Sequence, residues 1–174
     1  MLSAKRRSLS ISVVRLGLIL ALPVLLAGCL RPMYGGLAGQ QLQQDLAAIE
    51  VVPIPRRIGY FLARDLRFAL NGTGSTVTPK YRLTITISQN VQTPLIDTIS
   101  GRATSATSVI DAAYSLTPVG SDTAVAEGVA FTAVSYDRSS QNFANIRAQR
   151  DAEIRAAKTL ADQIHVRIAS KLAR

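Results

Sequence analysis

The chain is poor in the residue types that build catalytic and metal sites. Its 174 residues include one cysteine, Cys29, one histidine, His165, no tryptophan and only 5% aromatic residues. A single cysteine cannot form an internal disulfide or a cysteine-based zinc site, and a single histidine excludes centres with two or three imidazoles. A nucleophile motif, a phosphate-binding glycine loop and a spaced pair of carboxylates are also missing. The sequence therefore predicts a protein that is not an enzyme and holds no metal.

Acidic residues are absent from residues 1–28, and this segment predicts a signal peptide. Lys5, Arg6, Arg7 and Arg15 supply its charge, and residues 16–26 are apolar apart from one glycine and one proline. This apolar core is typical of a signal peptide, whereas a membrane-spanning helix needs about 20 apolar residues. Its removal leaves 16 basic and 11 acidic residues, a net charge of +5. That excess is too small to indicate nucleic-acid binding.

The only cysteine follows this segment directly. Leu26-Ala27-Gly28-Cys29 resembles the lipobox of bacterial lipoproteins, in which small residues precede an obligatory cysteine. The resemblance implies cleavage before Cys29, a diacylglycerol on its sulfur and an acylated amino terminus, with no other cofactor. Several acyl chains together anchor a protein permanently to a membrane. The cysteine is followed by Leu30. Lipoproteins that are retained in the inner membrane have an aspartate at this position, so the resemblance indicates the periplasmic side of the outer membrane.

The exported part divides into a tether and one domain. Residues 29–47 are rich in glycine and polar residues and predict a flexible lipidated tether, with a short helical piece near 40–47. Residues 48–174 are expected to form the domain. A β-branched run predicts a strand near 48–54, and apolar residues spaced three and four apart predict a helix over 56–70.

Alternating apolar and polar residues predict three further strands, which begin near residues 80, 103 and 123. The expected inward residues are Ile110, Tyr114 and Leu116 in the second of these strands and Val125, Val129 and Phe131 in the third. A final helix is predicted over about 141–172, with Glu153 on its polar face. On that face, two pairs of opposite charges lie four residues apart and can form ion pairs.

The order strand, helix, three strands, helix predicts an α/β two-layer sandwich. A strand–helix–strand unit pairs its strands in parallel, whereas consecutive strands with short links pair antiparallel. The sheet is therefore expected to be mixed and four-stranded. Both helices should cover one face of it, while the other face is solvated or meets a partner.

Several segments, in their order and spacing, resemble the lipopolysaccharide-assembly lipoprotein family LptE in its shorter alphaproteobacterial form. The start of the exported part, CLRPMYG at 29–35, is similar to that form's Cys-x-Phe/Leu-x-Pro-Leu-Tyr-Gly pattern. The other similar segments are LARDLRF at 62–68, YRLTI at 81–85, AAYSL at 112–116, SYDR at 135–138 and the RAA and LADQI pieces within 155–164.

The resemblance implies a protein that plugs the lumen of the large outer-membrane β-barrel LptD, helps to assemble it and assists lipopolysaccharide delivery to the outer leaflet. Basic residues of the family are implicated in lipopolysaccharide contact. By position, Arg102 in a predicted turn matches one of them, and Arg147 is a looser match to another. Arg82 and Arg138 are candidates from charge alone. A planar guanidinium suits this ligand because it can bind phosphate or carboxylate with two hydrogen bonds.

Two other classes of protein stay open at this point. One is an auxiliary envelope lipoprotein of a lipid-transport complex, anchored without plugging a barrel. The other is a membrane-tethered hydrolase, which loss of activity in a serine or aspartate variant would reveal. Each arginine could also be a solvated surface residue. His165 lies beside the apolar stripe of the last helix, where a residue at the edge of the core is expected.

Overall fold

The computed structural model describes residues 36–72, 74, 77–93 and 104–173. Cys29 and Arg102 lie outside the described residues. The elements are α1 Gly36–Ala47, β1 Ile49–Val51, α2 Arg56–Leu70, β2 Tyr81–Gln92, β3 Ser105–Pro118, β4 Ala126–Asp137 and α3 Asn142–Leu172. Across these ranges, no helix combines the length and the apolar character needed to cross a membrane.

The four strands form one mixed sheet in the order β1-β2-β3-β4. β1 pairs in parallel with β2, with Ile49 opposite Tyr81, because α2 returns the chain between them. β2, β3 and β4 pair antiparallel, as short connections require, and Leu116 of β3 lies opposite Leu83. The predicted α/β sandwich with a mixed four-stranded sheet is therefore confirmed.

The core lies between the sheet and the helices α2 and α3. Its largest fully buried side chains are Ile58, Leu62, Leu66, Leu83, Ile110, Leu116, Leu160, Ile164 and Ile168. The predicted apolar faces of both helices are therefore confirmed. α2 also has the predicted bounds, since Pro55 precedes it and the chain turns at Asn71 and Gly72.

The two ends of the sheet carry different parts of the chain. One end, here called the α1 end, holds Ala47 at the end of α1 and Leu70 at the end of α2. The opposite end, called the arginine end, holds Thr93, Thr104 and Arg138, where the Arg138 amide donates to the Thr104 carbonyl at 2.9 Å. α3 runs antiparallel to β4 from the arginine end to the α1 end.

The helix α1 is longer and more tightly packed than the predicted tether. It spans Gly36–Ala47, and both Leu42 and Leu46 are buried in the core. Asp45 also accepts a hydrogen bond from Lys80 at 2.9 Å, and this pairing raises the pKa of Lys80. Two leucines four residues apart give α1 an apolar face, so the packed part of the chain begins before residue 48.

The prediction of which face of β4 points inward is wrong. Val129 and Phe131 are each 53% exposed, while Ala126, Ala130 and Val134 are buried. Val125, the third residue expected inward, precedes the strand and is also exposed. Side chains alternate along a strand, so a shift of one residue exchanges the two faces completely.

Close packing explains why β4 turns its small residues inward. α3 lies directly against this strand, and the inward position between Ala126 and Ala130 is Gly128. Tyr114 of β3 lies opposite this glycine and covers it. A Cβ added to Gly128 would lie 2.9 Å from the Tyr114 Oη atom. A larger side chain would not fit at the Gly128 position, which is consistent with Val129 and Phe131 facing outward.

The expected exposure of Glu153 is also wrong. Its carboxylate is buried and accepts two hydrogen bonds from Arg57, at 2.7 Å from Nε and 2.9 Å from Nη2. The hydrogen bond to Glu153 raises the pKa of Arg57. Because the start of α2 lies against α3, this pair joins the two helices. The ion pairs expected within α3 are confirmed at 2.8 Å for Asp151–Arg155 and 3.3 Å for Lys158–Asp162.

Candidate functional site

The predicted arginines do not all lie at one place in the structure. Arg82 lies on the outer face of β2 near the α1 end, 3.8 Å from Glu50. Arg138 and Arg147 lie at the arginine end, after β4 and in the second turn of α3. Thr93 and Thr104, which flank the segment containing Arg102, are at that same end.

A groove at the start of α3 contains Arg147 and has a volume of about 390 Å³. It is called the arginine groove here and is lined by Phe143, Ile146, Arg147, Arg150, Asp151 and Ile154. Residues spaced three and four apart share one side of a helix, which explains how a single helix supplies all six. Phe143 is 70% exposed and Ile146 is 50% exposed, so the groove presents apolar surface beside charge.

Aromatic rings hold both arginines of the groove. The Arg147 guanidinium carbon lies 5.3 Å from the centre of the Phe143 ring. The Arg150 guanidinium carbon lies 6.0 Å from the ring of Phe61, and that of Arg64 lies 5.6 Å from the same ring. Phe61 is buried in the core and therefore gives these side chains a fixed support. Cation–π contacts of this kind contribute about 0.5–1 kcal/mol at exposed sites.

The charge of the groove is not neutralised by nearby acids. Within the described ranges, neither Arg147 nor Arg150 forms an ion pair or a side-chain hydrogen bond. Asp151, the acid that lines the groove, is paired with Arg155 at 2.8 Å. A stacked guanidinium keeps its N–H donors free at its edge. Both groups therefore keep donors available to an anion.

Part of this site is not evident from the sequence. The sequence indicates Arg147 as a candidate contact, but it does not associate Arg150, Phe143 or Ile146 with it. The available signal was an aromatic residue four positions before one arginine, which places ring and guanidinium on the same helix face. The contact between Arg150 and Phe61 joins two helices far apart in sequence, and no local pattern predicts it.

His165 lies in a different groove, at the α1 end. This groove has a volume of about 560 Å³, and its lining includes Gln40, Gln44 and Leu70. Burial lowers the pKa of His165, and the nearby Asp162 opposes this effect. The expected position at the edge of the core is therefore confirmed. No group of three or more histidine, cysteine, aspartate or glutamate residues in the described chain could hold a metal ion.

Comparison with known proteins gives the family and the fold. A crystal structure of a protein described as a lipoprotein from Caulobacter crescentus is 26% identical, with a TM-score of 0.63, and covers 77% of this chain and 97% of its own. A minor lipoprotein from Acinetobacter baumannii is 17% identical, with a TM-score of 0.54 over 71% of this chain and 92% of its own, and shares the fold. No curated protein matches. The sequence model of the lipopolysaccharide-assembly family LptE matches residues 44–168, well over half of the chain, and the chain therefore belongs to this family of non-enzymatic envelope lipoproteins.

Proposed function

We propose that this protein is an outer-membrane lipoprotein that plugs and helps to assemble the LptD β-barrel and assists lipopolysaccharide delivery to the outer leaflet. It is held on the periplasmic side by lipid on Cys29. Membership of the LptE family supports this role. The single observation that carries the proposal is the arginine groove, where two guanidinium groups that form no ion pair with the described residues lie beside exposed apolar side chains.

The length of the domain supports a position along the axis of a barrel. α3 has 31 residues and is therefore about 46 Å long. A bilayer with its headgroups is about 40–45 Å thick. α1, the first described element, lies at one end of the domain, while the arginine groove lies towards the other end. A domain anchored at the inner leaflet can therefore carry this groove deep into a barrel lumen.

The outer face of the sheet also suits a polar lumen. Barrel interiors in the outer membrane are polar, whereas their lipid-facing sides are apolar. On β2 the exposed side chains of this face are polar and include Arg82, Thr84, Thr86 and Ser88, whereas β4 adds the apolar Val129 and Phe131. The polar part of this surface can remain in contact with water or with polar barrel residues.

Among the predicted arginines, we propose Arg147 as the principal lipopolysaccharide contact. Its guanidinium forms no ion pair with any residue that the structure describes, and it shares the groove with Arg150. Arg138 lies at the same end of the sheet and is proposed as a further contact. Arg102 is outside the described residues and is proposed as another, because the described residues on either side of it, Thr93 and Thr104, are at that end. Arg82 is the weakest candidate, because it lies near the opposite end and its charge is partly offset by Glu50 at 3.8 Å.

Co-purification tests the proposed function. The full chain with a carboxy-terminal affinity tag is expressed in its own host and extracted from outer membranes with mild detergent. Recovery of a large outer-membrane barrel protein in a one-to-one ratio is the expected result. Recovery of a lipid-transport complex without a barrel would contradict the proposal and favour an auxiliary lipoprotein.

A Cys29→Ala variant tests the anchor in the same experiment. It should leave unprocessed precursor without lipid, because the only thiol of the chain is lost. Mass spectrometry of the mature wild-type amino terminus measures this directly. An unmodified Cys29 in protein recovered from membranes would show that the anchor is assigned wrongly. Barrel binding by the variant can persist, because the barrel contacts the domain itself.

A further inference from the structure

β4 is a long edge strand whose central part is uncharged. It has 12 residues and pairs with β3 in an unbroken register. Residues 129–134, with the sequence VAFTAV, contain no charged residue, proline or glycine. This composition is typical of segments that pair readily with strands of other chains. Very short or charged edge strands resist such pairing, whereas a long uncharged edge invites it.

The central contact at this edge imitates a neighbouring strand. The side-chain amide of Gln163 in α3 accepts a hydrogen bond from the Phe131 N–H at 3.4 Å and donates one to the Phe131 carbonyl at 3.1 Å. A paired strand would satisfy the same two groups, because alternate residues of an antiparallel strand direct both backbone groups to one side. A glutamine amide carries both a donor and an acceptor, so one side chain is sufficient.

Two arginines extend this contact in both directions along β4. Arg167 donates to the Val129 carbonyl, and Arg155 donates to the Ser135 carbonyl at 3.3 Å. Four residues of a helix advance about 6 Å, and two residues of an antiparallel strand advance about 7 Å. Because α3 runs antiparallel to β4, every fourth position of the helix meets every second position of the strand. Arg155, Gln163 and Arg167 are called the edge row here.

The edge row has a gap at Ala133. The spacing places Thr159 opposite this residue, but the Thr159 hydroxyl donates to the Arg155 carbonyl of its own helix at 3.1 Å. Side-chain hydrogen bonds reach the flanking Phe131 and Ser135, and within the described part of the chain none reaches Ala133. A second strand that pairs at this gap would therefore meet an obstructing side chain on either side of it.

We infer that the edge row prevents β4 from pairing with β4 of a second copy of this chain. A copy related by a two-fold axis presents the same uncharged strand in antiparallel orientation, so the two edges are complementary once the edge row is removed. Pairing would also bring together the exposed side chains of Val129 and Phe131, which adds apolar contact across the new strand pair. The inference concerns the chain alone and is independent of the proposed barrel partner.

Sedimentation equilibrium of the mature lipidated chain in density-matched neutral detergent tests this inference. The triple variant Arg155→Ala, Gln163→Ala and Arg167→Ala should form dimers as its concentration rises, whereas wild type should remain monomeric. Lys158→Ala combined with Lys171→Ala is the matched control, because it removes two positive charges from exposed positions of the same helix. The control should sediment like wild type. Gln163→Ala alone replaces the triple variant if circular dichroism shows that the latter is unfolded.

A further change at Ala133 locates the association. Proline has no N–H and is tolerated on an edge strand where that group faces away from the sheet. Ala133→Pro, added to the triple variant, should restore the monomer because a second strand can no longer bind at the centre of this edge. Ala133→Lys places a charge at the same position and serves the same purpose if the proline variant is unfolded.

Three results would overturn the inference. A folded triple variant could associate no more than wild type, which would mean that the edge row prevents nothing. The lysine control could associate as strongly as the triple variant, which would make loss of positive charge the cause. The triple variant could still associate with proline or lysine at residue 133, which would place the contact on another surface.

Discussion

The reversed face of β4 can be tested by giving Gly128 a side chain. In the structure, Gly128 points inward beneath Tyr114, and an added Cβ would lie 2.9 Å from Oη, 3.2 Å from Cζ and 3.3 Å from Cε1. The whole tyrosine ring would have to move by a few tenths of an ångström. Tyr114 is only 7% exposed, so neighbouring core residues resist this movement.

Two opposing terms set the magnitude of the effect of Gly128→Ala. Overpacking in a core typically costs about 1–3 kcal/mol. Replacing a strand glycine by alanine otherwise stabilises a protein by about 0.5–1 kcal/mol. The expected net result is therefore a loss of about 1 kcal/mol. If β4 had the opposite face inward, Gly128 would point into water, and the same change would increase stability by about 0.5–1 kcal/mol.

Urea denaturation of a soluble form that lacks residues 1–29, followed by circular dichroism, measures this difference of about 2 kcal/mol. The Tyr114→Phe background gives a second test, because removal of Oη leaves 3.2 Å as the nearest contact. Gly128→Ala should therefore cost less in that background. Val129→Ser serves as the exposed control and should change stability by under about 0.5 kcal/mol. A stabilising Gly128→Ala together with a costly Val129→Ser would refute the observed orientation.

Three further predictions concern α3 and its contacts. Leu160→Ala should lower the free energy of unfolding by about 2–5 kcal/mol as a buried truncation, whereas Lys158→Ala should lower it by under about 0.5. Arg57→Ala leaves the Glu153 carboxylate buried and unpaired; partial exposure of Arg57 reduces the expected loss to about 1–3 kcal/mol. Burial lowers the pKa of His165 in the folded state, so stability should decrease as the pH falls through about 6.5.

The same urea assay checks all three, with a matched comparison for each. Equal and small losses for Leu160→Ala and Lys158→Ala would mean that the helix face is assigned wrongly. A second change, Glu153→Leu, should recover much of the stability lost by Arg57→Ala, because it removes the unpaired charge. The pH effect should disappear in His165→Gln, since the chain has no other histidine. A pH dependence near 6.5 that persists in this variant would contradict the assignment.

Local patterns predicted the elements whose environment is unambiguous. α2 begins after Pro55 and ends before Asn71 and Gly72, and a single apolar stripe runs between these limits. β2 alternates between apolar and polar residues from Tyr81 to Ser88, so only one face of this part of the strand can be buried. In both cases, the local sequence alone determines which side of the element is buried.

The orientation of β4 required information from outside the strand. Apolar residues lie on both of its faces, with Ala130 and Val134 on one and Val129 and Phe131 on the other. The larger side chains, Val129 and Phe131, made their face the expected inward one. The limited space between α3 and the strand instead favours the face with Ala130 and Val134 as the buried one. Similarly, Arg57 and Glu153 are separated by 96 positions, so only the packing of α2 against α3 shows that they pair.

The outer edge of β4 limits how this domain can meet a barrel. Gln163 of α3 donates to the Phe131 carbonyl at 3.1 Å, Arg167 donates to that of Val129, and Arg155 donates to that of Ser135 at 3.3 Å. A strand added at this edge would have to displace these side chains. β1, at the opposite edge, has only three residues and offers little length for pairing. An exposed strand edge is the usual route by which sheets join. We therefore expect the domain to contact the proposed barrel partner through side chains on its faces, as a separate body, and not by extending the barrel's own sheet.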